Sequence, residues 1–234
     1  MHREDAPAKL TLTLRVTGVR DDGYHLIDAE MVTLDLADVL EFGEGDGLEV
    51  LGPHAAAVPT GTDNLVRRAL AAVGRTAHVR LHKGVPAGAG LGGGSADAAA
   101  VLRWAGCTDP AVAASIGADV PFCVSGGRAR VTGVGEVVET LPVLARAFTL
   151  LVPPMAVSTP EVYRAWDRLG GPTGPNGNDL EPAALVVAPE LARWRDRLGD
   201  DTGRTPRLAG SGSTWFVEGE FPGGDRIVVR SGRT

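Results

Sequence analysis

The stretch Gly88-Ala89-Gly90-Leu91-Gly92-Gly93-Gly94-Ser95 carries the spacing G-x-G-x-x-G at Gly88, Gly90 and Gly93. Glycines permit positive φ and leave backbone N–H groups uncovered, so a phosphate can approach them closely. The alanine-rich segment beginning near Ser95 predicts a helix whose positive end would add to such a cradle. Ser95 offers a hydroxyl to a phosphate or to Mg2+. Two other phosphate motifs fit poorly. Gly84 and Pro86 separate the glycines from the preceding strand signal, unlike a dinucleotide fingerprint, and no lysine follows them, unlike a Walker A loop. A flexible loop beside a packed helix would explain the small residues, but not the uninterrupted Gly92-Gly93-Gly94 that opens a helix. A second small-residue loop, Ala209-Gly210-Ser211-Gly212-Ser213, reads alone as an ordinary turn. Paired with the first, it could close over a nucleotide.

Phosphoryl transfer from ATP needs positive charge near the transferred group and a residue that orients or deprotonates the acceptor hydroxyl. Lys9, at the start of a strand after Pro7-Ala8, and Asp119, in the loop Gly117-Ala118-Asp119-Val120-Pro121, have the right chemistry. The carboxylate can accept the hydroxyl proton while the ammonium stabilises the developing alkoxide. Each alone reads more simply as a surface lysine and a turn aspartate. Tyr24-His25 follows the turn Asp21-Asp22-Gly23, and the chain has one other tyrosine, Tyr163. An aromatic pair can sandwich a base while the imidazole reads its edge, although each ring alone also suits a half-buried core position. The remaining histidines show no metal-ligand spacing.

These residues need a frame. Strict alternation from Lys9 to Val16 predicts a strand, with Leu10, Leu12, Leu14 and Val16 on one side and Thr11, Thr13 and Arg15 on the other. A run from Tyr24 to Leu36 pairs with it as a hairpin. Separate short strands are expected at Val39–Phe42 and Leu48–Leu51. A helix capped by Thr62 or Asp63 presents Leu65, Val66, Ala69, Leu70 and Val73, and Gly74 ends it. Strand signals follow at His78–His82, Phe122–Val124, Ala129–Thr132, Val137–Leu141 and Phe148–Val152. Asp109-Pro110 opens a short helix to Ile116, Thr159-Pro160 opens one to about Leu169, and Leu180–Leu198 is mostly helical. Strands at Thr214–Val217 and Arg226–Val229 close the chain. Strands and helices intermix without a βαβ rhythm, which predicts an α+β protein of two domains, 1–142 and 143–234.

The 234 residues include 23 basic and 29 acidic side chains, a net charge of −6, which argues against general nucleic-acid binding. Only two of the basic residues are lysines, Lys9 and Lys83. In so arginine-rich a chain a lysine marks a place where a compact ammonium is wanted. Cys107 and Cys123 suggest neither a disulfide framework nor a zinc site, and the charged amino terminus lacks the apolar core of a signal peptide. A soluble, cytoplasmic protein without membrane contact is expected.

Taken together, Pro7-Ala8-Lys9, the loop PAGAGLGGGSADAA and the late AGSGS resemble the three motifs of the GHMP small-molecule kinases. DGYH with GADVP, and the segments TDNLVRRAL, VSTPEVYRAW and NDLEPAA, are similar to the branch that phosphorylates a cytidine diphosphate conjugate of methylerythritol in isoprenoid precursor synthesis. The matches run in order from Ala6 to about Phe216. The resemblance implies a ribosomal-protein-S5-like amino-terminal domain, a ferredoxin-like carboxyl-terminal domain, and transfer from ATP, with Mg2+, to the 2-hydroxyl of a small-molecule substrate. It implies Lys9 and Asp119 as catalytic residues. On the ATP side it implies Asn64, Lys83, Pro86, Gly88, Gly90, Leu91, Gly92, Gly93, Gly94 and Ser95. On the substrate side it implies Thr11, Tyr24, His25, Thr159, Tyr163 and Gly212, with the two tyrosines stacking on cytosine. The chain departs from the family at Thr11, where asparagine is usual, and at Ala96, where a second serine is common. The rival expectations are a GHMP kinase for homoserine or a mevalonate-type alcohol, whose acceptors give Tyr24, His25 and Tyr163 no base to hold, and a catalytically silent nucleotide-binding protein.

Overall fold

The alternation that begins the chain extends further than its apolar positions suggest. In the computed structural model, which describes residues 2–232, β1 (His2–Val19) and β2 (His25–Gly43) form one long antiparallel hairpin. The separate strand expected at Val39–Phe42 is the end of β2, because no glycine or proline interrupts the run. Next come β3 (Gly47–Leu51), α1 (Leu65–Ala72), β4 (His78–His82) and α2 (Gly93–Trp104). Then follow α3 (Pro110–Ile116), α4 (Val120–Ser125), β5 (Arg128–Gly133) and β6 (Val137–Thr140). The later elements are β7 (Ala147–Leu151), α5 (Thr159–Arg168), α6 (Glu181–Val187), α7 (Leu191–Thr202), β8 (Arg207–Leu208), β9 (Trp215–Glu218) and β10 (Arg226–Arg230).

Two helix expectations need correction. Neither Thr62 nor Asp63 caps α1; Asn64 does, its Oδ1 accepting from the Val66 N–H at 2.8 Å. Phe122–Val124 is helix α4, not strand. A short apolar run fits either state by periodicity, and here Pro121 in the first turn and Gly126 at φ +65° set the helix bounds.

One sheet has the order β3-β4-β2-β5-β6, with β1 paired to β2, and a second has the order β10-β7-β9-β8. The chain passes between them after Thr140 and before Ala147. Helix α2 lies on β1 and β2 and buries Ala98, Ala99, Ala100, Val101 and Leu102 in the first core. Ala8, Leu10 and Leu12 instead enter a second core with Phe148, Leu150, Phe216 and Val229 of the other sheet. Leu14, expected on the face of Leu10, packs in the first core, and a register shift between Thr11 and Thr13 separates them. β1 thus serves both cores and carries Lys9 and Thr11 between them. Because Phe216 fills the shared core, Phe216→Ala should lower unfolding stability by about 3–5 kcal/mol in urea titration. A loss under about 1 kcal/mol would mean the second core contributes little.

A buried ionic cluster joins the layers beneath the glycine loop. Asp38 of β2 accepts from the Gly84 and Val85 N–H groups at 2.7 and 2.8 Å and pairs with Lys83. The same Lys83 ammonium reaches Asp97 of α2 at 2.9 Å. Two carboxylates around one ammonium leave excess negative charge in a dry site. Burial pushes the Asp97 carboxyl up to about 7, with Lys83 opposing the rise and Asp38 adding to it. A raised native value means that the folded state holds the proton more tightly. Stability therefore falls as pH rises from the ordinary 3.8 towards about 7. Asp97→Asn should flatten this slope: between about pH 5 and about pH 8 its urea midpoint should fall less than that of the parent. Equal falls would contradict the assignment.

Candidate active site

The glycine loop, the hairpin, the amino-terminal part of α5 and the late loop enclose a cleft of about 890 Å³. Lys9 sits in its floor with 5% of its surface exposed, so the ammonium is almost wholly taken from water. The Lys9 N–H donates to the Leu91 carbonyl at 2.9 Å, which ties the strand to the glycine loop. Its Nζ donates to Thr11 Oγ1 at 3.0 Å and lies 3.3 Å from Asp119 Oδ2. Asp119 occupies the N-cap of α4, yet its side chain makes no capping bond and faces the lysine instead. The two residues expected to share the chemistry therefore meet, although 110 positions separate them in sequence.

The loop is shaped by what it touches. Gly92 has φ +67°, and a Cβ there would come within 2.7 Å of Lys9 Cγ. Gly90 has φ +79°, and a Cβ would strike the carbonyls of Ala209 and Gly212 at 2.6 Å. The first glycine lets the loop rest on the lysine stem, and the second lets the late loop close against it. Thr214 completes that closure, its Oγ1 donating to the Ala89 carbonyl at 2.6 Å. Pro86 and Gly88, with Gly93, Gly94 and Ser95 of the first turn of α2, complete the loop's wall of the cleft, and that turn carries the helix's free N–H groups.

At the other end lie Tyr24, His25 and Tyr163. Tyr24 is exposed, whereas Tyr163 is half-buried and packs at a tilt against His25, with ring centroids 4.6 Å apart. All three side chains line the cleft, with the imidazole lying beside the Tyr163 ring. Burial, with a smaller push from the Asp119 carboxylate, moves the Tyr163 phenol up, so it stays neutral. Thr159, in the first turn of α5, shares a hydrogen bond of 2.7 Å with Ser211.

Thr11, Asn64 and Lys83 border the cleft while also bonding within the chain, and Gly212 does not border it. Asn64 borders the cleft, but its amide is taken up by the Val66 N–H and the Pro59 carbonyl. Lys83 also borders the cleft, and its ammonium pairs with Asp38 and Asp97 at the foot of the loop. Thr11 borders the cleft and steadies Lys9, its hydroxyl accepting from Nζ and keeping its own hydrogen to donate. Gly212 stands behind the cleft against Leu208, and Gly210 and Ser211 form the wall. Asp97, Arg164, Trp166 and Asp167 were not anticipated. The last two lie three and four residues beyond Tyr163, a helical spacing that the sequence displays. Asp38 has no comparable signal, since its partners come together only in the fold.

Residues 64–127 match the family model described as the GHMP kinases N terminal domain. The chain is 42% identical to the 4-diphosphocytidyl-2-C-methyl-D-erythritol kinase of Paracoccus denitrificans, over 92% of this chain and 85% of that one. It is 40% identical to the enzyme of the same name from Paramagnetospirillum magneticum, over 91% and 87%. A crystal structure of 4-(cytidine 5'-diphospho)-2C-methyl-D-erythritol kinase superposes with a TM-score of 0.77 at 32% identity, covering all of both chains. The mevalonate kinase of Methanococcus jannaschii shares the fold, with a TM-score of 0.60 at 11% identity. With a lysine–aspartate pair beneath a glycine loop and this likeness along nearly its whole length, the chain belongs to the 4-diphosphocytidyl-2-C-methyl-D-erythritol kinases, within the GHMP kinases.

Proposed function

We propose that this chain transfers the γ-phosphoryl group of ATP to the 2-hydroxyl of 4-diphosphocytidyl-2-C-methyl-D-erythritol. The observation that carries the proposal is the 3.3 Å pair of Lys9 and Asp119 in a floor bordered by the glycine loop on one side and aromatic residues on the other. The backbone N–H groups from Gly88 to Ser95 hold the ATP phosphates. Asp119 accepts the proton of the acceptor hydroxyl, the oxygen forms its bond to the γ-phosphorus, and the bond to the β,γ-bridging oxygen breaks to release ADP. Lys9 offsets the negative charge on the reacting oxygens, and Thr11 keeps its ammonium in line.

Among the described residues no group of three or more His, Cys, Asp or Glu is arranged to hold a metal. Mg2+ would be carried on ATP by phosphate oxygens and water, with the hydroxyl of Ser95, which borders the cleft, as the chain's contribution. The ion neutralises phosphate charge when bound. Tyr24 and His25 receive the cytosine, and Thr159 and Ser211 border the path of the diphosphate. The division near residue 142 separates an ATP-binding unit from a carboxyl-terminal unit, and the change of sheet between Thr140 and Ala147 supports it. The free thiols Cys107 and Cys123 suit a reducing, cytoplasmic setting, and among the described residues no helix is long and apolar enough to cross a membrane. The acidic balance gives no support to a nucleic-acid partner.

ADP release measured in parallel with the cytidine substrate, mevalonate and homoserine tests the substrate class. Turnover is expected with the first alone, and turnover only with a base-free alcohol would overturn the proposal. Asp119→Asn should lower kcat by about 10²–10⁴-fold while the affinity for the cytidine substrate stays close to the parent's. An unchanged kcat would remove Asp119 from the chemistry.

A further inference from the structure

His25 opens β2, and one face of α5 closes on its ring. Tyr163 stacks against it at 4.6 Å with a tilt of 31°, and Trp166 meets it edge-on at 5.5 Å and 85°. Asp167 Oδ1 lies 2.7 Å from Nε2. These three residues are spaced i, i+3 and i+4, so a single helical face supplies all three contacts. Trp166 is itself anchored, its Nε1 donating to the Pro172 carbonyl at 3.0 Å. The imidazole side chain is only 9% exposed, and it borders the cleft.

A carboxylate only accepts hydrogen bonds, so Nε2 carries the hydrogen that Asp167 receives. In the neutral ring the other nitrogen, Nδ1, is then an acceptor. Among the described residues Nδ1 has no hydrogen-bond partner, and Asp167 forms no other ion pair. A pyrimidine distinguishes itself at this position: cytosine offers an exocyclic amine, which donates, whereas uracil offers a carbonyl, which would oppose the imidazole lone pair.

From this arrangement we infer that Asp167 is a positioning residue for base selection. Through His25 it presents a fixed acceptor that favours a base carrying an exocyclic amine over its carbonyl counterpart. The inference rests on the cytidine reading above and adds to it the residue that sets the choice. The same contacts would also fit a simple latch between β2 and α5, and a latch would not discriminate between bases.

The test is a calorimetric titration of CMP, UMP and ATP into the full chain and into Asp167→Asn. An asparagine can donate to Nε2 as well as accept from it, which releases the constraint on the tautomer. The parent should prefer CMP to UMP. The variant should lose about tenfold in CMP affinity and most of the preference, with ATP affinity unchanged as the sign of intact folding. Nitrogen NMR of the parent's His25 should show hydrogen on Nε2 and a bare Nδ1, which gives a reading even if the variant folds poorly. A variant that retains the CMP preference, or a parent ring protonated on Nδ1 alone, would overturn the role of Asp167. A parent that binds ATP but neither pyrimidine nucleotide would overturn the cytidine reading itself, a result distinct from the other two.

Discussion

The packing of Gly92 on the side chain of Lys9 is the constraint on which the rest of the site depends. Only a residue without Cβ lets the glycine loop lie on the lysine stem, and that contact brings the start of α2 over the ammonium. The backbone bond from Lys9 to Leu91 repeats the tie one layer away. Everything that transfers charge is then local: the first turn of α2, with its free N–H groups, borders the cleft, and Asp119 at the start of α4 meets the ammonium. A chain with net charge −6 can in this way hold anionic ligands without a basic surface.

The supports around that contact divide the work. Asp38, Lys83 and Asp97 fix the foot of the loop from beneath, where burial makes each ionic bond costly to break. The late loop, clipped by Thr214 and Asn178, closes it from the opposite side. The hairpin stands between the two cores, so movement of β1 in either one would reach Lys9. Rigid elements thereby hold a reaction geometry for which small displacements are expensive.

Much of this was legible in the sequence. The hairpin alternation, the glycine loop and the proline-opened helices each have a local cause, and they stand where those causes put them. Two kinds of feature were not legible. Short apolar runs such as Phe122–Val124 carry no period that separates helix from strand. Partnerships that form only on folding were also hidden, and Lys83 is the clearest case: its rarity marked it as special, but nothing local says that two carboxylates claim it before any ligand arrives. Of the two scarce lysines, Lys9 lies at the proposed reacting centre and Lys83 secures the loop above it. The face of α5 that holds His25 lies between these extremes, since its helical spacing was visible and its target was not.

The most direct test of this account is the turnover of Gly92→Ala. A methyl group there must displace the Lys9 stem, and its φ of +67° disfavours any side chain. The account predicts a fall in kcat of about 10²-fold with CMP affinity preserved, because the reacting pair moves while the base end does not. An unchanged kcat in a folded variant would show that the glycine loop does not set the position of Lys9, and would contradict the account at its centre.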